Sequence, residues 1–92
     1  MSINEILSAL ADDTRRAIIT KLRKGKISTG DLAEYLGITP QALSYHLSKL
    51  KNADIIYEIR YKNFIYYDLN LSVLGELIVW LKTLKGEKDN EN

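Results

Sequence analysis

Apolar side chains recur at helical spacing in the middle of the chain. Leu43, Leu47 and Leu50 fall on one side of the predicted helix, and polar side chains fall on the other. Thr39 can cap the start of this helix, and Pro40 suits its first position, where a backbone donor has no partner. The pattern predicts one buried stripe and one uncharged polar face, which consists of Gln41, Ser44, Tyr45 and Ser48.

A shorter helix is predicted directly before this one, over residues 28–37. Ser28 or Thr29 can cap its start, and Gly37 can end it because glycine adopts a left-handed conformation at little cost. The connection to the next helix is only residues 37–39. The two helices are therefore predicted to form a helix-turn-helix.

Two segments rich in aromatic and β-branched residues follow, over residues 55–61 and 64–69. They predict a β-hairpin, in which Asn63 can adopt a positive φ where the turn requires it. The tip is polar and basic because it carries Arg60, Lys62 and Asn63. A helix-turn-helix followed by a hairpin predicts a mainly α fold with a β-hairpin wing, the winged-helix arrangement.

Apolar and polar positions alternate along both predicted strands, which favours one buried face. The apolar members of the alternation are Tyr57 and Ile59 in the first strand, and Ile65, Tyr67 and Leu69 in the second. We expect these side chains to face the core.

The first apolar helical pattern runs from about Ile3 to Leu22 and is interrupted at residues 12–14. Asp13 or Thr14 can cap a new helix there, so we expect a kink or two separate helices. Arg15 follows in the first turn of the second piece. We interpret it as one partner of a structural ion pair, with contact to a phosphate as the alternative.

Residues 71–84 predict a last helix that is apolar on more than one side. One stripe would serve the core of a small domain, so the other is expected to pack, with the N-terminal helix, against a second copy of the chain. A tightly packed monomer is the alternative. The uncharged polar face of the helix that begins at Pro40 can approach base edges in the major groove of DNA, so this helix is a candidate recognition helix. A two-fold dimer would place two such helices about 34 Å apart, which favours an inverted-repeat operator. The predicted interface residues are Ile3, Leu7, Leu10, Leu77, Trp80, Leu81 and Leu84.

The chain has 92 residues and a formal net charge of only +1. This length favours a single domain, predicted over residues 1–86, followed by a disordered polar tail over residues 87–92. The charge is unevenly distributed, because residues 15–62 contain ten basic and four acidic side chains, a net charge of +6. A basic central region favours a partner that carries phosphates.

The sequence contains no cysteine, and His46 is the only histidine. Without thiols, a second imidazole or a glycine-rich phosphate loop, we expect no enzymatic activity, no metal site and no cofactor. Neither a signal peptide nor a membrane-spanning segment is predicted. We therefore expect a cytoplasmic protein that does not insert into membranes.

Four segments of the sequence carry a family resemblance. Residues 9–16, 31–33, 43–50 and 64–69 read ALADDTRR, DLA, LSYHLSKL and FIYYDL. In combination they resemble the ArsR family of bacterial winged-helix repressors, although Asp13 stands where that family usually has proline. The resemblance implies a homodimer on double-stranded DNA, built from the first and last helices. The candidate DNA-binding residues are Gln41, Ser44, Tyr45, His46, Ser48 and Lys49 on the second helix of the motif, and Arg60, Lys62 and Asn63 on the wing.

Many members of that family sense metals, and this sequence lacks the residues of their two common sites. One site would need cysteines near residues 29–32, and the other would need Asp and His pairs on the last helix, where Glu76 is the only acid. The resemblance therefore implies the metal-independent branch and a self-regulating repressor. Two alternatives stay open: a winged-helix module that binds another protein, and a repressor controlled by a small organic inducer or by a sequestering protein.

Overall fold

The computed structural model describes residues 2–87, and this part of the chain contains five helices and three strands. This arrangement confirms the mainly helical winged-helix fold. The predicted tail lies outside the described residues except for Glu87. The helices are α1 (Ile3–Leu10), α2 (Asp13–Leu22), α3 (Thr29–Leu36), α4 (Pro40–Asn52) and α5 (Leu71–Leu84), and the strands are β1 (Ile27–Ser28), β2 (Ile56–Tyr61) and β3 (Phe64–Leu69).

The predicted interruption of the first helical segment is a corner between α1 and α2. The cap of α2 is Asp12, whose backbone is extended and whose carboxylate accepts a hydrogen bond from the backbone N–H of Arg15 at 3.0 Å. The prediction of Asp13 or Thr14 as the cap was therefore wrong. The cap is the residue with non-helical backbone just before the first helical residue, and its side chain accepts from the second or third N–H of the helix; α2 already begins at Asp13, so Asp12 is the cap and Arg15 offers the third N–H.

The same hydrogen bond lowers the pKa of Asp12, and the positive charge of Arg15 acts in the same direction against the effect of burial. A carboxyl group whose pKa is lower in the folded state stabilises the fold at pH values above its unfolded pKa. That contribution is lost as the pH falls through the folded pKa.

The helix-turn-helix forms as predicted, because each helix end has a local partner. Ser28 Oγ accepts from the Asp31 backbone N–H at 3.2 Å at the start of α3, and Gly37 ends this helix with a φ of +68°. Thr39 Oγ1 accepts from the Ala42 backbone N–H at 3.1 Å at the start of α4. These short-range contacts fix the two helices at the ends of a three-residue turn.

The core lies where the helices meet one face of the sheet. The predicted inner stripe of α4 is confirmed, since Leu43, Leu47 and Leu50 are all buried. Burial of each such side chain contributes roughly 1.5–3 kcal/mol to the stability of the fold. The inner face of α4 is therefore anchored in the core, while its outer face stays exposed. The largest fully buried side chains are Ile6, Ile18, Leu22, Leu32, Leu50 and Ile55.

The sheet is antiparallel with the strand order β1-β3-β2. The strand β1 was not predicted, because two residues are too short to show an alternating pattern. It pairs Ile27 with Tyr67 and Ser28 with Tyr66. Its last residue, Ser28, is also the cap of α3, so the sheet directly positions the helix-turn-helix.

The buried face of β2 differs from the prediction. The register places Ile56 opposite Leu69 and Glu58 opposite Tyr67, so these residues share the inner face. Tyr57 and Ile59 belong to the outer face, and Tyr57 is 47% exposed. The prediction was wrong because the register of the hairpin decides which face of β2 is buried. Alternation within one strand does not reveal that register.

The turn of the hairpin also differs from the prediction in one detail. Lys62 has a φ of +55°, and Asn63 is not among the residues with positive φ. Tyr61 pairs with Phe64, so Lys62 and Asn63 are the two central residues of the turn, and the first of them carries the positive φ. The position in the turn thus outweighs the general tolerance of asparagine for this conformation.

The longest helix among residues 2–87 is α5, with 14 residues. A bilayer-spanning helix needs about 20 apolar residues. No helix in this part of the chain is long and apolar enough to cross a membrane.

Candidate nucleic-acid interface

The outer face of α4 is open to solvent, as the sequence predicts. Tyr45 is 57% exposed, and Lys49 Nζ lies 5.6 Å from the centroid of its ring. This cation places positive charge beside the uncharged polar side chains of the helix, where a phosphate backbone would be attracted. The predicted residues that lie together on this exposed face are Gln41, Ser44, Tyr45, Ser48 and Lys49.

His46 lies apart from that group although it belongs to the same helix. Its side chain is only 17% exposed, and its Nδ1 lies 3.2 Å from Arg15 Nη1 and 3.7 Å from Asp12 Oδ2. Because a guanidinium only donates hydrogen bonds, the contact with Arg15 assigns Nδ1 as the acceptor and the ring proton to Nε2. His46 therefore faces the α1–α2 corner rather than the open side of α4.

Arg15 is buried and joins three parts of the fold. Its Nε donates to Ala9 O at 2.7 Å and its Nη2 to Ser8 O at 3.2 Å, so the guanidinium satisfies carbonyls at the C-terminal end of α1. Its Nη1 contacts His46 on α4. The structural interpretation of Arg15 agrees with this geometry, but the direct partners are carbonyls and an imidazole rather than a carboxylate.

Arg16 also contacts the C-terminal end of α1, and it does so from the solvent-exposed side. Its Nη1 donates to Leu10 O at 2.8 Å, and its Nη2 pairs with Asp13. The C-terminal carbonyls of a helix carry partial negative charge, which two cations complement. The sequence signal for this corner was a pair of arginines placed just after the end of a helix.

The wing, which is the β2–β3 hairpin, carries the predicted basic tip. Arg60, Lys62 and Asn63 are all exposed. At the base of the wing, Glu58 forms ion pairs with Arg60 and with Lys51 of α4. Sequence reasoning missed the contact between Lys51 and Glu58, since a pair between two elements depends on how the wing packs against the helix.

A cleft of about 510 Å³ separates the wing from the helix-turn-helix. Its walls come from the polar face of α4, from the start of α3 and from the inner face of β3. The cleft makes the helix face and the wing parts of one continuous surface. The residues on its walls include Thr29, Gly30, Ser44, Ser48, Lys51 and Tyr67.

The predicted dimer residues fall into two groups. Leu7, Leu81 and Leu84 are exposed and available for contact. Leu77 is only 9% exposed and packs inside the chain, while Ile3, Leu10 and Trp80 are partly buried against the same core. Two further apolar side chains of α5, Leu71 and Ile78, are exposed although they were not among the predicted interface residues.

No three His, Cys, Asp or Glu side chains within residues 2–87 form a group that could hold a metal ion. The single imidazole is also engaged, because its Nδ1 contacts Arg15. The candidate surface is therefore built from hydroxyl, amide and basic side chains, which suit hydrogen bonding to bases and contact with phosphates.

Comparison with known proteins agrees with this geometry. The sequence profile for "Bacterial regulatory protein, arsR family" matches residues 12–58. The transcriptional repressor SdpR of Bacillus subtilis (strain 168) is 38% identical over 97% of this chain and 99% of that protein. The arsenical resistance operon repressor of the same organism is 37% identical over 88% of this chain and 82% of that protein.

Solved structures give the same result. The crystal structure of NolR from Sinorhizobium fredii is 33% identical, with a TM-score of 0.71 over 91% of this chain and 84% of that chain. The ArsR-like transcriptional regulator from Rhodococcus sp. RHA1 is 25% identical, with a TM-score of 0.86 over 91% of this chain and 77% of that chain. The protein thus belongs to the arsR family of bacterial regulatory proteins, which are transcriptional regulators rather than enzymes.

Proposed function

We propose that the protein is a transcriptional repressor that binds an inverted-repeat operator as a homodimer and requires no metal ion. The observation that carries this proposal is the exposed, uncharged polar face of α4 beside a basic wing. Hydroxyl and amide groups can approach base edges in the major groove, and the neighbouring cations can contact the phosphates of the DNA backbone. Similarity to a transcriptional repressor over 97% of the chain supports repression as the outcome of binding.

In this proposal residues 1–86 form the DNA-binding domain, with α1 and α5 as the dimerisation helices. Exposed apolar side chains on both helices, among them Leu7, Ile78 and Leu81, support a contact with a second copy. The protein acts in the cytoplasm and represses its own gene. An organic inducer or a sequestering protein relieves the repression.

Metal independence is supported by the chemistry of the donor set. The sequence has no cysteine, and its one histidine is held by Arg15.

We expect the purified protein to retard the DNA upstream of its own gene at near-physiological salt and with excess competitor DNA. The retardation should be the same with added zinc or with EDTA, as measured in one gel-shift series. Release by zinc would contradict metal independence. Absence of specific binding, even on DNA selected from the whole genome, would instead favour a protein-binding module.

Base reading by α4 can be tested with a pair of tyrosines. Tyr45 and Tyr35 are both well exposed on helices of the helix-turn-helix, but only Tyr45 lies on the proposed reading face. Tyr45→Ala should weaken operator binding by at least about tenfold and leave binding to a scrambled duplex nearly unchanged, because both subunits lose a hydroxyl contact and a good bidentate base contact contributes roughly 1–3 kcal/mol of discrimination. Fluorescence anisotropy on the two duplexes measures both affinities. Tyr35→Ala is the control. Equal losses on both duplexes from the Tyr45 change would contradict base reading.

A further inference from the structure

Glu58 is an acidic side chain on an otherwise basic part of the candidate surface. It lies on the inner face of β2, opposite Tyr67 of β3, and its side chain is 25% exposed. A carboxylate at this place repels phosphates, which makes it an unexpected component of a DNA-binding surface. Its contacts indicate what it does there.

The carboxylate of Glu58 lies between two cations from different elements. Its Oε1 is 3.8 Å from Lys51 Nζ at the C-terminal end of α4, and its Oε2 is 3.6 Å from Arg60 Nη2 in the wing. One side chain thus connects the proposed reading helix with the wing. Lys51 also lines the cleft between them, so this connection lies at the edge of the cleft.

Stability does not account for this arrangement. The Lys51 and Arg60 side chains are 46% and 73% exposed, and ion pairs with such exposure typically contribute only about 0–1 kcal/mol because water and salt screen them. Glu58 has a larger effect on the affinity for DNA than on the stability of the fold. Binding to DNA of arbitrary sequence depends almost entirely on cations that neutralise phosphates, and a carboxylate beside two of them reduces it.

We propose that Glu58 is a specificity-determining positioning residue, which biases Lys51 and Arg60 toward places between α4 and the wing and reduces binding to non-operator DNA. The inference rests on the proposed DNA interface. On non-operator DNA the carboxylate of Glu58 offsets part of the charge of the two cations. On the operator, the base contacts of α4 bring the DNA phosphates close to these two cations. Because the two side chains are already near their binding positions, less side-chain entropy is lost on binding.

The test replaces the carboxylate by its neutral isostere, Glu58→Gln. Affinities are measured by fluorescence anisotropy, at several salt concentrations, for a duplex that the protein selects from random sequence and for a scrambled duplex. We expect binding to the scrambled duplex to tighten about threefold, and its slope in log affinity against log salt to steepen by about one for each cation released. The ratio of operator to scrambled affinity should fall about twofold to fivefold.

Two controls separate positioning from a simple change of charge. Glu34 of α3 is exposed, and no ion pair involves it within residues 2–87, so Glu34→Gln removes the same charge from the helix-turn-helix without releasing a cation. In a variant that already carries Lys51→Gln and Arg60→Gln, the Glu58→Gln change should alter both affinities by no more than Glu34→Gln alters them in the parent protein.

Each remaining outcome is decisive. If Glu58→Gln and Glu34→Gln change the affinity ratio equally, or if Glu58→Gln weakens binding to both duplexes, the inference is wrong while the proposed function stands. A parent protein that selects no sequence at all would overturn the proposed function and this inference together.

Discussion

Replacing Arg15 by alanine is expected to destabilise the protein by about 3 kcal/mol, because the loss of a buried charged donor leaves the Ala9 carbonyl without its partner and removes one of the two donors to the Ser8 carbonyl. The lost contacts are those to Ser8 O, Ala9 O and His46 Nδ1. For a domain of this size such a loss lowers Tm by roughly 12 °C or more. Thermal unfolding followed by circular dichroism, at one fixed protein concentration, measures the change.

The neighbouring Arg16 provides the matched control. Its side chain is exposed, and it contacts Leu10 O and Asp13 at the solvent side of the same corner. Arg16→Ala should cost less than about 1 kcal/mol, since water replaces its hydrogen bonds. Similar Tm values for the two variants would show that the buried contacts of Arg15 do not hold the corner.

Replacing Ile78 by glutamate is expected to give monomers and to weaken operator binding by at least about a hundredfold, because the second half-site is then no longer bound by a linked partner. Ile78 is 54% exposed on α5, so a carboxylate there leaves the core of the single chain intact. Light scattering coupled to size-exclusion chromatography gives the oligomeric state, and anisotropy on the selected duplex gives the affinity.

Val79 offers a closely matched control on the same helix. It is also β-branched and is 36% exposed, but it lies about 100° further around the helix than Ile78. Val79→Glu should leave the dimer in place. A stable dimer of the Ile78→Glu variant would refute the proposed interface. Leu77 cannot serve in this test, because it is buried in the chain and its replacement by a charge would unfold the protein.

The parts of the fold that were predicted correctly depend on contacts between close neighbours in the sequence. Thr39 and Gly37 set the ends of α4 and α3 through hydrogen bonds or conformations within four residues of themselves. The break before α2 was visible for the same reason. These local signals were sufficient to place Ser44 and Tyr45 on the open face of α4.

The parts that sequence reasoning missed depend on how distant elements meet. The strand β1 exists only because Ile27 lies beside Tyr67 in the folded chain. The apolar positions of α5 look alike in sequence, and only packing shows that Leu77 belongs to the core while Ile78 stays exposed. The ion pairs of Glu58 likewise require the register of the hairpin and its distance from α4.

The contact between Arg15 and His46 has a thermodynamic consequence. Arg15 binds the end of α1 and a side chain of α4 at once, so in the proposed dimer the helix at the subunit interface and the helix on the operator both contact one side chain. Assembly and operator binding are then linked equilibria, and linkage is reciprocal. The factor by which pairing of subunits raises affinity for the operator equals the factor by which the operator strengthens the pair.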